Sequence, residues 1–177
     1  MSEHARKALP NLSRERREER EGKSEREERR EDNTLKVLWV AKNRMLREEV
    51  RQLKAYAEKN GMKLKLDSYV GKVPSVEWLV RKKILPGGYG VVVAVLPLSM
   101  MSHLVALGRR YGFEVWRPKV EILHLDWKIP CPEFDGARDV MMPTVSADGD
   151  VAFAHKRFLH YERVRAIELL AEPIEVE

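Results

Sequence analysis

The sequence predicts an α/β protein: a Rossmann-like or flavodoxin-like three-layer sandwich with a mostly parallel sheet. Two observations predict it. Between residues 34 and 126, short apolar runs alternate with stretches whose apolar residues recur at helical spacing. The central run, "YGVVVAVLP", is apolar throughout, as befits a strand covered on both faces of a parallel sheet. The order β-α-β-α-β-α-β then implies right-handed crossovers with helices on both sides.

Each element has its own signal. "TLKVLWVAK" reads as a first strand covered on both faces. "NRMLREEVRQLKAYAEKNG" places Met45, Leu46, Val50, Leu53 and Ala57 on one helical face, with Asn43 as a candidate cap and Gly61 as the stop. "MKLKLDSYV" alternates apolar Met62, Leu64 and Leu66 with polar residues, the mark of a strand nearer an edge. A second helix follows Pro74-Ser75 and ends at Pro86-Gly87-Gly88. "LSMMSHLVALGRRYG" gives a third helix, with Ser99 as cap and Gly112 as terminator. "FEVWRPKVEILHLD" is extended and divisible at Pro118.

Beyond Asp126 the pattern changes, and residues 127–177 are expected to pack on the core as a loop, a hairpin and a C-terminal helix. Asp148-Gly149 is a hairpin turn signal. Phe158, Tyr161, Val164, Ile167 and Leu170 recur every third residue, which points to the helix; a strand through "RVRAIELL" is the alternative.

The chain of 177 residues is 34% charged, above the usual quarter or so. Residues 1–33 cause much of the excess: ten bases and ten acids interleave there, and residues 11–33 hold one apolar residue, Leu12. Such a segment cannot bury a face and reads as a disordered or fraying helical arm, a candidate docking element for a protein partner. Its neutrality argues against a simple polycationic tail. The net charge of +5 belongs to residues 34–177, a balance compatible with an anionic ligand. The scarcity of glutamine beside abundant Glu, Arg and Lys resembles thermophile composition. No apolar run approaches the roughly 18 residues of a membrane span, and a cytoplasmic protein without membrane contact is expected. Cys131 is the only cysteine, so neither an intrachain disulfide nor a cysteine-based zinc site is expected. No nucleophilic role is assigned to it either.

In parallel sheets, ligands bind beyond the carboxyl ends of strands, where helix N-termini suit phosphate. Two junctions qualify. Lys42, Asn43 and Arg44 follow the first strand; Ser99, Ser102 and His103 follow Leu96-Pro97. Converging on one crevice, they would form a phosphate site, with His103 as a candidate acid/base. The plainer alternative makes them helix caps and exposed loop charge. Lys156, His160 and Arg163 would share one helical face suited to nucleic-acid backbone. His124 and Asp126 point the same way on a strand and could join Asp135, Asp139 or His103 around a metal, but a hydrogen-bonded pair is the simpler expectation. No metal or cofactor is therefore assigned.

The strand–helix order ending in Leu96-Pro97 resembles a response-regulator receiver domain. Receivers carry an acidic pair where this chain has Lys42, Asn43 and Arg44, and a phospho-acceptor aspartate where it has Val93, so aspartyl phosphorylation is not expected. "VVVAVLPLSMMSHLVALG" also resembles part of small CRISPR-associated Rossmann-like proteins, the cyclic-oligoadenylate sensors and ring nucleases. That resemblance implies a cyclic oligonucleotide held by strand-end loops in a homodimer. The expected function is a module binding a nucleotide, cyclic oligonucleotide or nucleic acid. A phosphodiester-cleaving enzyme, with Lys42 or Arg44 stabilising charge, and a non-catalytic scaffold are the alternatives.

Overall fold

In the computed structural model the described residues are 33–168, apart from 128, 130 and 146. The charged arm expected at 1–33 lies outside them except for Asn33.

Strand β1 (Thr34–Ala41) sends alternate side chains to two cores. Val37 and Trp39 face one layer, Leu38 and Val40 the other. Helix α1 (Arg47–Lys59) covers the first layer with Leu53 and Ala57. Helix α2 (Val76–Leu79, a π-helical turn Val80–Ile84, then Leu85–Gly87) and helix α3 (Leu98–Tyr111) cover the second. Between them runs β3 (Val91–Ala94), whose four residues are all buried. Full burial of each valine is worth about 1.5–3 kcal/mol, so β1 and β3 anchor both layers.

Local signals set most helix ends. Ser75 Oγ accepts the Trp78 N–H at 3.1 Å, while Gly88 (φ 63°) and Gly112 (φ 82°) end their helices in the left-handed region. Two caps differ from expectation. Helix α1 starts after Leu46, whose N–H is held by the Glu49 carboxylate at 2.7 Å. Asn43 instead accepts the Trp39 indole N–H through its backbone carbonyl at 2.9 Å. Helix α3 starts after Pro97, leaving Ser99 inside the first turn.

Among the described residues the sheet has six strands in the order β2-β1-β3-β4-β6-β5, with β2 (Lys63–Val70) at an edge. It is mixed and strongly curled, like half a barrel, and not the mostly parallel Rossmann-like sandwich that the sequence led us to expect. Strands β1, β3 and the start of β4 (Glu114–Asp126) are parallel. From Trp116 onward β4 pairs antiparallel with β6 (Val151–Arg163), and β6 pairs antiparallel with β5 (Asp139–Val145).

The cause lies after Asp126. The Asp148-Gly149 turn, with Gly149 at φ 88°, closes the β5–β6 hairpin. Its second arm enters the sheet beside β4 instead of forming the expected C-terminal helix. The three-residue spacing that suggested a helix has a different origin. The β4–β6 register slips at Lys119/Val120, leaving Leu159 as an extra residue between Phe158 and His160. A bulge reverses the alternation, so Phe158 and Tyr161 meet with ring centroids 5.1 Å apart. Pro118 does not split β4. β3 pairs with β4 only up to Trp116, so the edge of β4 beyond it carries no β3 hydrogen bonds that a proline would break. No helix among the described residues is long and apolar enough to cross a membrane.

A tight packing contact tests this architecture. A Cβ on Gly108 would stand 2.7 Å from the Phe113 carbonyl oxygen, where α3 turns into β4. Gly108→Ala is expected to cost about 1–3 kcal/mol in thermal unfolding, as overpacking does. An unchanged melting temperature would show that the turn relaxes freely.

Candidate functional site

Strand β3 ends at Ala94, whereas β4 continues to Asp126 and bends away with β6. Between the end of β3 and the departing β4 lies a cleft of about 440 Å³. Its floor includes Trp39, Ala41, Ala94 and Met101; Val95, Leu98, Val120 and Met142 are exposed along its walls. Lys42, Arg44, Arg117 and Lys156 also line it. Arg117 is paired with Glu162 at 2.7 Å. Among the described residues, Lys42, Arg44 and Lys156 have no carboxylate within ion-pair distance. Such a wall of exposed apolar groups between unpaired cations is uncommon on a surface without a ligand.

Among the described residues, Glu49 is the one acid lining the cleft. It is 5% exposed, and burial raises its carboxyl to about 7, against the opposing hydrogen bond from Leu46 N–H. Near neutral pH this group is partly protonated and offsets only part of one positive charge.

The predicted site residues divide. Lys42, Asn43 and Arg44 line the cleft and meet Lys156 there. Leu98 and Met101 of the second junction also line it, but Ser99, Ser102 and His103 do not. Ser102 Oγ donates to the Ile167 carbonyl at 3.1 Å. His103 sits at the surface, 3.3 Å from Glu77. The helical face expected to unite Lys156, His160 and Arg163 is absent because these residues lie on β6. His160 lies 3.9 Å from Glu162, and Arg163 pairs with Glu114 at 2.9 Å.

On β6, Lys156 lines the cleft, so its neighbour His155 emerges on the opposite face. There His155 is fully buried and meets two further side chains. Its Nδ1 lies 2.9 Å from His124 Nε2 on β4 and 3.5 Å from Cys131 Sγ in the following loop. Cys131 Sγ is 3.3 Å from His124 Nε2. On its other side, His155 Nε2 is 2.8 Å from Asp139 Oδ2. Asp139 is itself clamped by two bonds of 2.8 Å from Arg157 and one of 2.9 Å from the Asp135 N–H. The Arg157 guanidinium holds the Asp139 carboxyl well below the usual carboxylate range, with the Asp135 and His155 bonds assisting against burial. An ionised Asp139 only accepts, so His155 Nε2 donates to it, and Nδ1 is the ring nitrogen turned toward His124 and Cys131.

This constellation was only half visible in the sequence. The sequence points to His124 with Asp139 as a possible companion, but nothing local ties Cys131 and His155 to them. Residues 131 and 155 meet 124 only because β4 and β6 pair, with a second register shift between Ile122 and His124 that sets His124 opposite His155. Burial raises the Cys131 thiol against an opposing hydrogen bond from the Glu133 backbone, and the Asp126 and Glu133 carboxylates add to the rise, which favours the protonated thiol. No family model, no curated protein and no solved structure matches the chain.

The raised Glu49 pKa has a stability consequence. The fold retains the Glu49 proton up to about pH 7, whereas an exposed glutamate in the unfolded chain releases it near 4.5. Between those values the folded state binds the extra proton, so stability falls as pH rises, by at most about 1.4 kcal/mol per unit from this group. Glu49→Gln keeps an acceptor for Leu46 N–H and removes the buried charge. Its melting temperature is expected to exceed that of the parent at pH 8 and to match it near pH 4.5. Parallel curves across this range would contradict the assignment.

Proposed function

We propose that the chain is a binding protein for a ligand that joins an apolar or planar body to a phosphate-type anion, the nucleotide class. The observation that carries this reading is the convergence of Lys42, Arg44 and Lys156, without carboxylate partners among the described residues, around exposed Val95, Leu98, Val120 and Met142. The cleft's volume falls in the range of small-molecule sites. Cations at its rim would hold phosphate oxygens, and the apolar walls would cover a base or comparable group. A cytoplasmic setting accords with the unpaired thiol of Cys131.

A second reading, phosphodiester cleavage, draws support from Glu49 and not from His103. A cleft-lining carboxyl near pH 7 suits acid/base work, whereas His103 faces Glu77 outside the cleft.

The test is a thermal-shift series on the full chain with nucleoside mono-, di- and triphosphates, cyclic oligonucleotides and short RNA. A ligand at about a hundred times its Kd stabilises by about 2.7 kcal/mol. The expected result is a rise in melting temperature with at least one of these, lost in the Lys42→Ala/Arg44→Ala/Lys156→Ala variant. A shift that survives the triple substitution, or no shift with any probe, would overturn the proposal. Release of cleaved product that Glu49→Gln abolishes while binding persists would favour the enzyme.

A further inference from the structure

We propose that His124, Cys131 and His155, completed by Asp126, form a binding site for a divalent transition ion of the zinc class. The site lies on the face of the β4–β6 ladder opposite the cleft and is independent of the cleft's function.

The donor geometry is close to that of a coordination shell. With metal–nitrogen bonds of ~2.0–2.1 Å and a metal–sulfur bond of ~2.3 Å, tetrahedral donors stand ~3.3 Å (N to N) and ~3.6 Å (S to N) apart. The three atoms here are separated by 2.9, 3.3 and 3.5 Å. An ion needs only a few tenths of an ångström of expansion, within reach of side-chain rotation.

The outer shell is also built. A metal-bound histidine characteristically donates its second N–H to a carboxylate, which fixes its tautomer and raises its basicity. His155 does this to Asp139, and Asp139 is held by Arg157 and the Asp135 N–H. A fully buried, ionised aspartate whose orientation is set by four hydrogen bonds is a costly device for aligning a histidine that merely packs. Here it turns Nδ1 toward two other potential ligand atoms.

Asp126 stands outside the three-donor cluster and would reach the fourth position by side-chain rotation. It lies two residues from His124, on the same face of β4, opposite Phe153. Its carboxylate is within hydrogen-bonding reach of the Cys131 thiol. On binding, the thiol proton leaves to solvent and sulfur takes the ion as thiolate; both imidazoles bind neutral and Asp126 binds as carboxylate. One thiolate and one carboxylate balance a dication, so the filled site carries no net charge. Four protein ligands with Cys131 and His155 buried make it a closed, structural centre without a position for substrate. Its work would be to fasten the loop between β4 and β5 to the ladder. Cysteine count alone set such a site aside in the sequence; the fold replaces the missing thiols with histidines.

Protons can also bridge these donors, and cobalt tells the two cases apart. The full chain, stripped with a chelator, is titrated with Co²⁺ and followed by absorption, by metal content and by thermal unfolding. The expected result is one ion per chain, a thiolate-to-cobalt charge-transfer band with the visible bands of a tetrahedral site, and a raised melting temperature. Cys131→Ser should remove the charge-transfer band. Asp139→Asn should weaken binding about 10- to 100-fold, as loss of such an outer-shell partner does. A folded parent chain that shows neither band nor bound ion with Co²⁺ or Zn²⁺ would overturn the proposal. So would a charge-transfer band unchanged by Cys131→Ser. Because the parent chain is itself titrated, a variant that fails to fold does not protect the proposal.

Discussion

Antiparallel hydrogen bonding between β4 and β6, from Trp116–Arg163 to Asp126–Phe153, is the interaction on which both candidate sites depend. It draws β4 away from β3 and so opens the cleft. It also sets His155 opposite His124. Because neighbouring residues of a strand point to opposite faces, one strand serves both places: Lys156 enters the cleft and His155 enters the buried cluster. The two slips in its register are part of the design, since one reunites Phe158 with Tyr161 and the other places the two imidazoles together.

The parallel half of the sheet supplies rigidity where the cleft needs a fixed wall. Val37, Val40, Val92 and Val93 are fully buried between helices on both faces, so the loop that carries Lys42 to Arg44 leaves a well-packed strand. The antiparallel half supplies the opposite wall through Val120, Val140, Met142 and Lys156. The connecting loop joins the two halves: Ala137 accepts the Glu48 N–H at 2.9 Å in the first turn of α1, and the Arg138 carbonyl accepts the Phe158 N–H at 2.8 Å. An ion at His124, Cys131 and His155 would fasten the start of the same loop.

Electrostatics separates the two regions in kind. In the cleft, cations stand in or near water with little acid to balance them, because Glu49 is held partly protonated by burial. In the cluster, the charges are buried and matched: Asp139 by Arg157, with donors left over that suit a soft-to-borderline cation. The first arrangement suits a ligand that comes and goes. The second suits a permanent part of the fold.

The sequence by itself determined the elements up to Phe113, the hairpin turn at Asp148-Gly149 and the cationic loop at Lys42 to Arg44. Those features follow from period, caps and turn chemistry, which act over a few residues. It also marked His124 and Lys156 as residues of interest, without their partners. Only the tertiary structure decided that β6 enters the sheet antiparallel to β4, that a bulge makes a strand imitate helical spacing at Phe158 and Tyr161, and that Cys131 and His155 close on His124. Each of these is a choice of strand partner and register. Such a choice is settled by the burial of one face against residues far along the chain, and no local pattern encodes it.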